Sequence, residues 1–185
     1  MSLVTEMVTF ATTAVASPVT PMVAFAVLGF VTLQRLSELV VARRNTTRLL
    51  AAGGQEVGAG HYPVMVALHA AWLAGLWLLA PGRPVDTIAL AAYFLVQPVR
   101  LWILLTLGGR WTTRIIVLPG APLVRSGPYR FLSHPNYAVV VAEIALLPLA
   151  FHLTWYALAF SLANAALLAV RIRAENAALA RAVNS

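Results

Sequence analysis

Two short stretches in the second half of the chain carry residue types that can do chemistry. One is the run from His134 to Tyr137, which reads histidine, proline, asparagine, tyrosine, and the other is Arg171 with Glu175 four residues later. Pro135 predicts a helix start, because a proline in the first helical turn loses no hydrogen bond. The free N–H groups and the positive dipole at such a start hold anionic groups. The sequence therefore predicts an anion-binding turn beside a cation and a carboxylate.

Polar residues also follow one face of the last apolar stretch. Asn164, Arg171 and Glu175 are spaced by seven and four residues, so at about 100° per residue they share one side of a helix. A cation and an anion on one stripe of an apolar helix are expected to face a ligand rather than lipid. The alternative is an ordinary Arg171–Glu175 pair at the headgroups, worth about 0.2–0.5 kcal/mol.

Charged residues inside apolar stretches need partners, since a bare charge in lipid is costly. Glu143 lies seven residues beyond Asn136 on the same helix face. It either meets an arginine such as Arg100 or lines the pocket, and we favour the pocket. Arg35 and Glu38 are three residues apart and are expected to pair inside the bundle.

The elements that must position these residues are apolar enough to cross a membrane. The chain has 185 residues, of which 61% are hydrophobic and 10% charged, against roughly 45–50% and 25% in a soluble domain. Five apolar segments are predicted, at about residues 21–41, 62–80, 85–107, 136–151 and 153–172. The fourth is shorter than the roughly 20 residues of a span, so it is expected to tilt, to stop short or to pack against protein. We predict one domain over residues 1–185, an all-α integral membrane bundle of about five transmembrane helices.

The ends of the apolar segments differ in charge. The net charge of +7 comes from thirteen basic residues, all of them arginine. With five spans, the arginine-rich segments after the first, third and fifth spans all fall on one side. The positive-inside rule then places the amino terminus outside and the carboxyl terminus in the cytoplasm. The arginines are expected to contact anionic membrane lipids, and a nucleic-acid surface is the weaker alternative, so no nucleic acid is predicted. Residues 1–17 are expected to be a mobile or interfacial tail rather than a signal peptide.

Metal and thiol chemistry are not predicted. The chain contains no cysteine, which excludes disulfides and thiolate ligands. Its four histidines lack ligand spacing, so no metal site is expected. His69 is a lone histidine on an apolar helix and is interpreted as structural.

The stretch from Leu123 to Tyr137, with Ser126-Gly127, Tyr129 and the His-Pro-Asn-Tyr run, precedes the Arg171 and Glu175 pair. In this order the motifs resemble the isoprenylcysteine carboxyl methyltransferase family over roughly the last 75 residues. The first half, with Gln34-Arg35 and Glu38-Leu39, is similar to a bacterial branch of that family. Members of that branch are associated with methylation of polyketide-derived phenolic lipids and alkylpyrones.

The resemblance implies an S-adenosylmethionine-dependent O-methyltransferase in the membrane, with a cytoplasmic cofactor-binding loop and a carboxyl-terminal helix. Residues 108–185 would be the cofactor-binding and catalytic half. By position, the implied cofactor-binding residues are Arg114, Ala121, Pro122, Leu123, Val124, Tyr129, His134, Pro135, Asn136, Tyr137 and Glu175. Arg171 is implied as the substrate contact. The family often has arginine where this chain has Ser133, and a histidine or similar residue where it has Ala121.

Catalytic and substrate roles follow from the residue types. Arg171 can hold the developing oxyanion of a hydroxyl acceptor, and His134 is the candidate proton acceptor if one is needed. Glu143 and Asn164 are predicted to contact the substrate. We expect a lipid-like acceptor methylated at a carboxyl or a phenolic or enolic oxygen, in a bacterial inner membrane.

Two other functions remain open. A phospholipid amine N-methyltransferase would share the general layout. A non-enzymatic transporter or scaffold subunit should place polar residues near the bilayer midplane, whereas here they are expected mainly at one face.

Overall fold

Helices dominate the computed structural model of the chain, which describes residues 19–183. The helices of that part are α1 Val19–Ala51, α2 Tyr62–Leu79, α3 Thr87–Leu107, α4 Pro135–Leu149 and α5 Thr154–Val183. Two short strands, β1 Gln55–Val57 and β2 Ile115–Val117, form an antiparallel pair. The predicted all-α bundle is confirmed. The predicted tail at residues 1–17 lies outside the described residues.

Four of the helices are long and apolar enough to cross a membrane, and α4 is shorter. α4 has 15 residues, about 22 Å of helix, which is less than the ~30 Å of a hydrocarbon core. Of the three predicted ways to accommodate the short helix, packing against protein is the one observed. Its residues Val139, Glu143, Ile144 and Leu147 are buried, and its neighbours are α3 and α5.

The first and last helices continue past the predicted apolar segments. α1 runs to Ala51 rather than ending near Val41, and α5 runs to Val183 rather than to Ile172. Arginine and alanine are good helix formers, so loss of apolar character does not end a helix. α1 ends where Gly53 and Gly54 follow. Its 33 residues extend over about 50 Å, so part of α1 projects beyond a membrane core.

The strand pair determines which ends of the helices meet. β1 lies in the α1–α2 connection and β2 in the loop of residues 108–134, with Glu56 opposite Ile116. The second half of α5 contacts both strands. The arginine-rich segments after α1, after α3 and along the end of α5 therefore lie at the same end of the bundle.

The opposite end is a tight apolar cap. Asp86 begins α3, and its carboxylate accepts hydrogen bonds from the N–H groups of Ile88 and Ala89. A tight turn at His152 joins α4 and α5, and His152 has a left-handed φ of 54°. The core at this end includes Leu28, Leu76, Tyr93, Ile144 and Phe151.

Candidate active site

A cavity of about 1340 Å³ lies inside the arginine-rich end of the bundle. Residues of α1, α2, α4 and α5 form its walls, and the loop of residues 108–134 covers it. Most of the lining is apolar. The volume exceeds the ~300–1,000 Å³ of a typical small-molecule pocket. The cavity therefore has room for two ligands side by side.

The covering loop is anchored to α1 at its beginning. The buried Asn45 donates from Nδ2 to the carbonyl oxygens of Gly108 at 3.1 Å and of Trp111 at 2.8 Å. Farther along, Arg110 donates to the carbonyl oxygen of Pro122 at 2.6 Å. These bonds satisfy loop carbonyls that a membrane surface would otherwise leave exposed.

The strand pair holds the middle of the loop against the α1–α2 connection. Gly54 lies just before β1, and an added Cβ there would lie 2.6 Å from the Leu49 carbonyl oxygen and 2.9 Å from Ile116 Cγ2. Glycine is therefore required by space at this position rather than by backbone conformation.

Arg114 connects the loop with two preceding elements. Its guanidinium forms a salt bridge with Glu56 on β1 and lies 4.1 Å from the ring centre of Tyr62 on α2. The Tyr62 hydroxyl is 3.2 Å from Thr113 Oγ1. These contacts bring the first turn of α2 to the edge of the cavity.

The loop reaches α4 through a turn that packs against α3. Gly127 has a φ of 55°, and a Cβ there would meet Thr106 Oγ1 at 2.5 Å. Tyr129 follows, packing against Ile103, Trp111 and the other residues of a small buried cluster. Burial raises the pKa of the Tyr129 hydroxyl to about 12, with a smaller effect from the Glu175 carboxylate. The hydroxyl therefore stays protonated and can donate a hydrogen bond at neutral pH.

The beginning of α4 meets α5 in a cluster of four side chains. The Tyr137 hydroxyl donates to Glu175 Oε2 at 2.7 Å. The His134 ring stacks on the Tyr137 ring at 5.4 Å, and its Nδ1 lies 3.7 Å from Glu175 Oε2. Its Nε2 lies 3.2 Å from Asn176 Oδ1. His134 occupies the N-cap position of α4, but its side chain makes no capping hydrogen bond.

Arg171 is a charged residue of the site whose guanidinium is almost completely buried. It is 4% exposed, and its Nη2 donates to the Thr113 carbonyl oxygen at 3.0 Å. Its Nε and Nη1 are buried without a hydrogen-bond partner, and no carboxylate of the described residues lies within 4.0 Å of the guanidinium. The alternative of an Arg171–Glu175 headgroup pair is therefore not observed.

Two asparagines add further unpaired polar atoms. Asn164 is 1% exposed, and both its Oδ1 and its Nδ2 are buried without a partner among the described residues. Asn136 Oδ1 is also buried without a partner among the described residues. Buried amide groups normally have hydrogen-bond partners. Because both side chains line the cavity, these atoms are available to a ligand.

A group of four charged residues, the charge quartet Arg35, Glu38, Arg100 and Glu143, lies deeper in the bundle. Arg100 donates from Nε and Nη2 to Glu38 and from Nη1 to Glu143 at 2.8 Å. Arg35 reaches Glu38 at 3.1 Å and Glu143 at 2.7 Å. Gln97 also donates to Glu143, at 3.1 Å. Two cations and two carboxylates balance, which is what allows four charges to be buried there.

The structure shows both of the arrangements considered for Glu143, because this residue pairs with Arg100 and also lines the cavity. The expected pairing of Arg35 with Glu38 is present. The position of the quartet differs from the prediction that polar residues lie mainly at one membrane face. The quartet lies within helices α1, α3 and α4, and its charges are neutralised by one another.

The residues proposed from sequence for the site are brought together by the fold. Thirteen of them line the cavity: Arg114, Ala121, Pro122, Leu123, Val124, Tyr129, His134, Asn136, Tyr137, Glu143, Asn164, Arg171 and Glu175. Pro135 does not line it, being buried as the first residue of α4. The roles assigned to these residues stay predictions.

Some cavity residues were not proposed from the sequence as part of the site. Thr113 contacts Arg171 through its backbone carbonyl, which no side-chain pattern reveals. The α2 face made by Tyr62, Met65, Val66 and His69 also lines the cavity. The residues of this face are three and four positions apart, which indicates a helix. The same spacing is found on a face that contacts lipid, so it does not identify a face that lines a cavity.

Comparison with known proteins identifies the class of this chain. The model of the isoprenylcysteine carboxyl methyltransferase (ICMT) family matches residues 88–181, just over half of the chain. The chain belongs to this family, which confirms the resemblance seen in its motifs. The family implies a methyltransferase of the membrane.

Among curated proteins, the uncharacterized protein YpbQ of Bacillus subtilis (strain 168) is 42% identical over 157 residues. The match covers 82% of this chain and 94% of that relative. No solved structure matches the chain.

Proposed function

We propose that the chain is an S-adenosylmethionine-dependent O-methyltransferase that acts on a carboxyl, phenolic or enolic oxygen of a lipid-like acceptor. The observation that carries this proposal is Arg171, a buried cation with two donors that have no partner among the described residues, near a carboxylate held by Tyr137. An uncompensated buried charge is costly. It is therefore expected to meet an anionic or partly anionic oxygen supplied by a ligand.

The residues around the α4–α5 cluster fit the cofactor. Its adenine ring can pack on Tyr137 or Tyr129, and its ribose hydroxyls or ammonium can donate to Glu175, whose Oε1 accepts no hydrogen bond from a described residue. Asn136 Oδ1 is a buried acceptor without a partner. Arg114 and the segment of residues 121–124 form the wall on the loop side. When bound, the cofactor supplies an electrophilic methyl group on a sulfonium.

The chain itself would mainly position the reactants and exclude water. Holding two reactants in a productive geometry can contribute up to roughly 7–11 kcal/mol. Arg171 holds the acceptor oxygen through its free Nε and Nη1 donors, and Glu143 and Asn164 contact the acceptor beside it. The loop of residues 108–134 keeps bulk water from the reacting oxygen.

An acceptor with an apolar chain is supported by the walls that α1 and α2 provide. Leu36, Leu39 and Val66 line the cavity and have exposed side chains. An apolar chain can therefore pack against them. A membrane-dissolved chain can lie there while its polar head reaches Arg171. With a relative in a bacterium, we place the protein in a bacterial inner membrane with its arginine-rich end in the cytoplasm.

The cofactor site is tested by calorimetric binding of S-adenosylhomocysteine to the detergent-purified protein. We expect saturable binding, weakened about 10-fold or more in Glu175→Ala and His134→Ala, because hydrogen bonds to charged groups contribute about 1.5–3 kcal/mol. Arg173→Ala is the control, since Arg173 lies on the same helix, is exposed and does not line the cavity. Thermal melting establishes that each variant is folded. Absence of binding by a folded wild type would refute the methyltransferase proposal and favour the transporter or scaffold alternative.

The acceptor class is tested by supplying methyl-labelled S-adenosylmethionine to membranes that contain the protein. Label released as methanol by mild alkali identifies a carboxyl methyl ester, and alkali-stable label in an apolar product identifies a phenolic or enolic ether. Label that co-migrates with methylated phosphatidylethanolamine would establish the N-methyltransferase alternative instead.

A further inference from the structure

His69 lies at the centre of the α2 face that lines the cavity. Tyr62, Met65, Val66 and Leu73 lie on the same face, at helical spacings of three and four residues from it or from one another. The side chain is neither fully buried nor exposed. A histidine in this place is in reach of an acceptor rather than enclosed in the core.

The hydrogen bond of His69 determines where its lone pair is. Nδ1 lies 2.8 Å from the carbonyl oxygen of Met65. A carbonyl oxygen only accepts, so Nδ1 carries the hydrogen and the neutral ring has its lone pair on Nε2. Nε2 makes no hydrogen bond to any described residue, so this lone pair is free on a cavity-lining side chain.

The other basic side chains of the cavity have polar neighbours. The His134 ring lies 3.2 Å from Asn176 Oδ1 through Nε2 and 3.7 Å from Glu175 Oε2 through Nδ1, and Glu175 Oε2 accepts from Tyr137. The carboxylates of Glu38 and Glu143 accept from Arg35 and Arg100. A carboxylate held by two guanidinium groups is a poor proton acceptor.

We propose that His69 is the general base that deprotonates a hydroxyl acceptor in this reaction. This proposal rests on the function proposed above. The acceptor O–H bond breaks and its proton moves to Nε2. The oxygen electron pair forms the bond to the methyl carbon while the carbon–sulfur bond breaks, and the sulfur keeps that pair. The imidazolium then releases its proton to water.

The charges around His69 suit this role. Arg35 of α1, Arg100 of α3 and Arg171 of α5 line the same cavity as His69. Arg35 and Arg100 are balanced by the carboxylates of the charge quartet, which leaves Arg171 as the unbalanced cation. Arg171 stabilises the phenolate or enolate as it forms. After the transfer, the positive charge of Arg171 repels the protonated His69 ring, which favours release of the proton.

The test compares His69→Gln with wild type on three acceptors: a long-chain alkylphenol, its ring-fluorinated counterpart that is ionised at neutral pH, and N-acetyl-S-farnesylcysteine. General base catalysis contributes about 10²–10⁴-fold, so we expect a loss of at least about 100-fold on the alkylphenol and less than about threefold on the fluorinated phenol. His134→Gln is expected to lower both phenol rates together. His152→Asn is the control, because His152 is exposed at the far end and asparagine accepts its left-handed φ.

A second readout does not depend on turnover. In ring-¹⁵N NMR spectra of histidine-labelled protein, the signal missing from His69→Gln should be an unprotonated Nε2 that shifts when the alkylphenol is added. A protonated Nε2, or a signal that does not shift when the alkylphenol is added, overturns the proposal.

Three kinetic outcomes also overturn it: an unchanged alkylphenol rate in His69→Gln, equal losses on both phenols, or a wild type that methylates the farnesylcysteine but neither phenol. S-adenosylhomocysteine binding separates the two proposals. If wild type binds it and one of these outcomes is found, the assignment of His69 fails and the methyltransferase stands. If wild type does not bind it, both fail.

Discussion

Arg171 and Glu175 lie four residues apart on α5, yet they have different partners. Glu175 accepts from Tyr137, and Arg171 donates to the backbone of Thr113. A surface pair would have neutralised both charges at little gain. Because they are separated, one face of α5 presents a carboxylate toward α4 and an unbalanced cation toward the cavity. This separation is what makes the residues a candidate site.

Replacing Arg171 by lysine should therefore impair turnover more than cofactor affinity. An ammonium is a point charge and cannot reach both the Thr113 carbonyl and an acceptor oxygen. We expect kcat to fall about 10²–10³-fold, the usual effect of losing a donor to a developing oxyanion. Methyl transfer and S-adenosylhomocysteine calorimetry are measured together, with Arg173→Lys as the control. An equal loss in both measurements would assign Arg171 to the cofactor instead.

Among the elements, the charge quartet connects three helices. Glu38 on α1 and Glu143 on α4 are both held by Arg100 on α3. Breaking one partner of a buried pair leaves an uncompensated charge, whereas removing both partners leaves none. The quartet should therefore behave as a unit in a double-mutant cycle.

We expect Glu38→Leu alone to cost about 3–5 kcal/mol, and the double variant Glu38→Leu/Arg100→Leu to cost less than the sum of the two single changes. Glu143 keeps Arg35 as its partner in the double variant. Unfolding in SDS titrations measures the differences. The half-exposed pair of Glu56 and Arg114 provides the comparison, because Glu56→Gln should cost no more than about 1 kcal/mol. Strict additivity of the buried pair would contradict this account of the quartet.

The two strands are short, but they decide where the loop of residues 108–134 lies. The chain is closely packed at Gly54, just before β1, where the Leu49 carbonyl oxygen and the Ile116 side chain leave no space for a Cβ. Gly60, six residues later, has no atom within 4 Å of an added Cβ. Substitution of Gly60 is therefore a control for substitution of Gly54.

Gly54→Ala should displace β1 from β2 and loosen the wall that carries Arg114, lowering both the melting temperature and the affinity for S-adenosylhomocysteine. Gly60→Ala should leave both unchanged, since its methyl group meets open space. Differential scanning fluorimetry and calorimetry report the two quantities. Wild-type affinity in a folded Gly54→Ala protein would show that the strand pair does not support the cofactor site.

At the scale of the whole molecule, the bundle has two unlike ends. One end has the arginine-rich segments, the loop of residues 108–134 and the cavity, and the other has the apolar cap around Asp86 and His152. Positive charge beside the spans predicts that the first end faces the cytoplasm. S-adenosylmethionine is a water-soluble cytoplasmic compound, so the proposed activity requires the same orientation.

Orientation is testable by cysteine labelling, because the natural chain has no cysteine. Thr47 and Thr154 are exposed near opposite ends of the bundle. In intact cells of a bacterial host, a membrane-impermeant maleimide should label Thr154→Cys and spare Thr47→Cys, and lysis should expose both. The reverse pattern would place the cavity outside the cell and contradict the proposed cofactor supply.

The sequence by itself determined the class of this protein. Apolar content and the spacing of breakers such as Pro81-Gly82 and Gly108-Gly109 are local properties, so all five helices were predicted with small errors at most ends. The larger errors, at the ends of α1 and α5, arose because an apolar segment ends where charge begins, whereas a helix ends where glycine or proline appears. The motif residues from His134 to Glu175 were predicted as site residues from their types and spacing and from the family resemblance that they carry.

Only the tertiary structure decided which polar groups are satisfied and which are free. Glu143 was ambiguous in the sequence because its partners, Arg35 and Arg100, come from helices far away in the chain. Arg171 was ambiguous because the sequence allowed either a cation that faces a ligand or a pair with Glu175, whereas in the structure its Nη2 donates to the Thr113 carbonyl oxygen. His69 was interpreted as structural, since periodicity cannot distinguish a helix face that lines a cavity from one that faces lipid. Hydrogen-bond satisfaction depends on three-dimensional neighbours, and these exist only once the helices are packed.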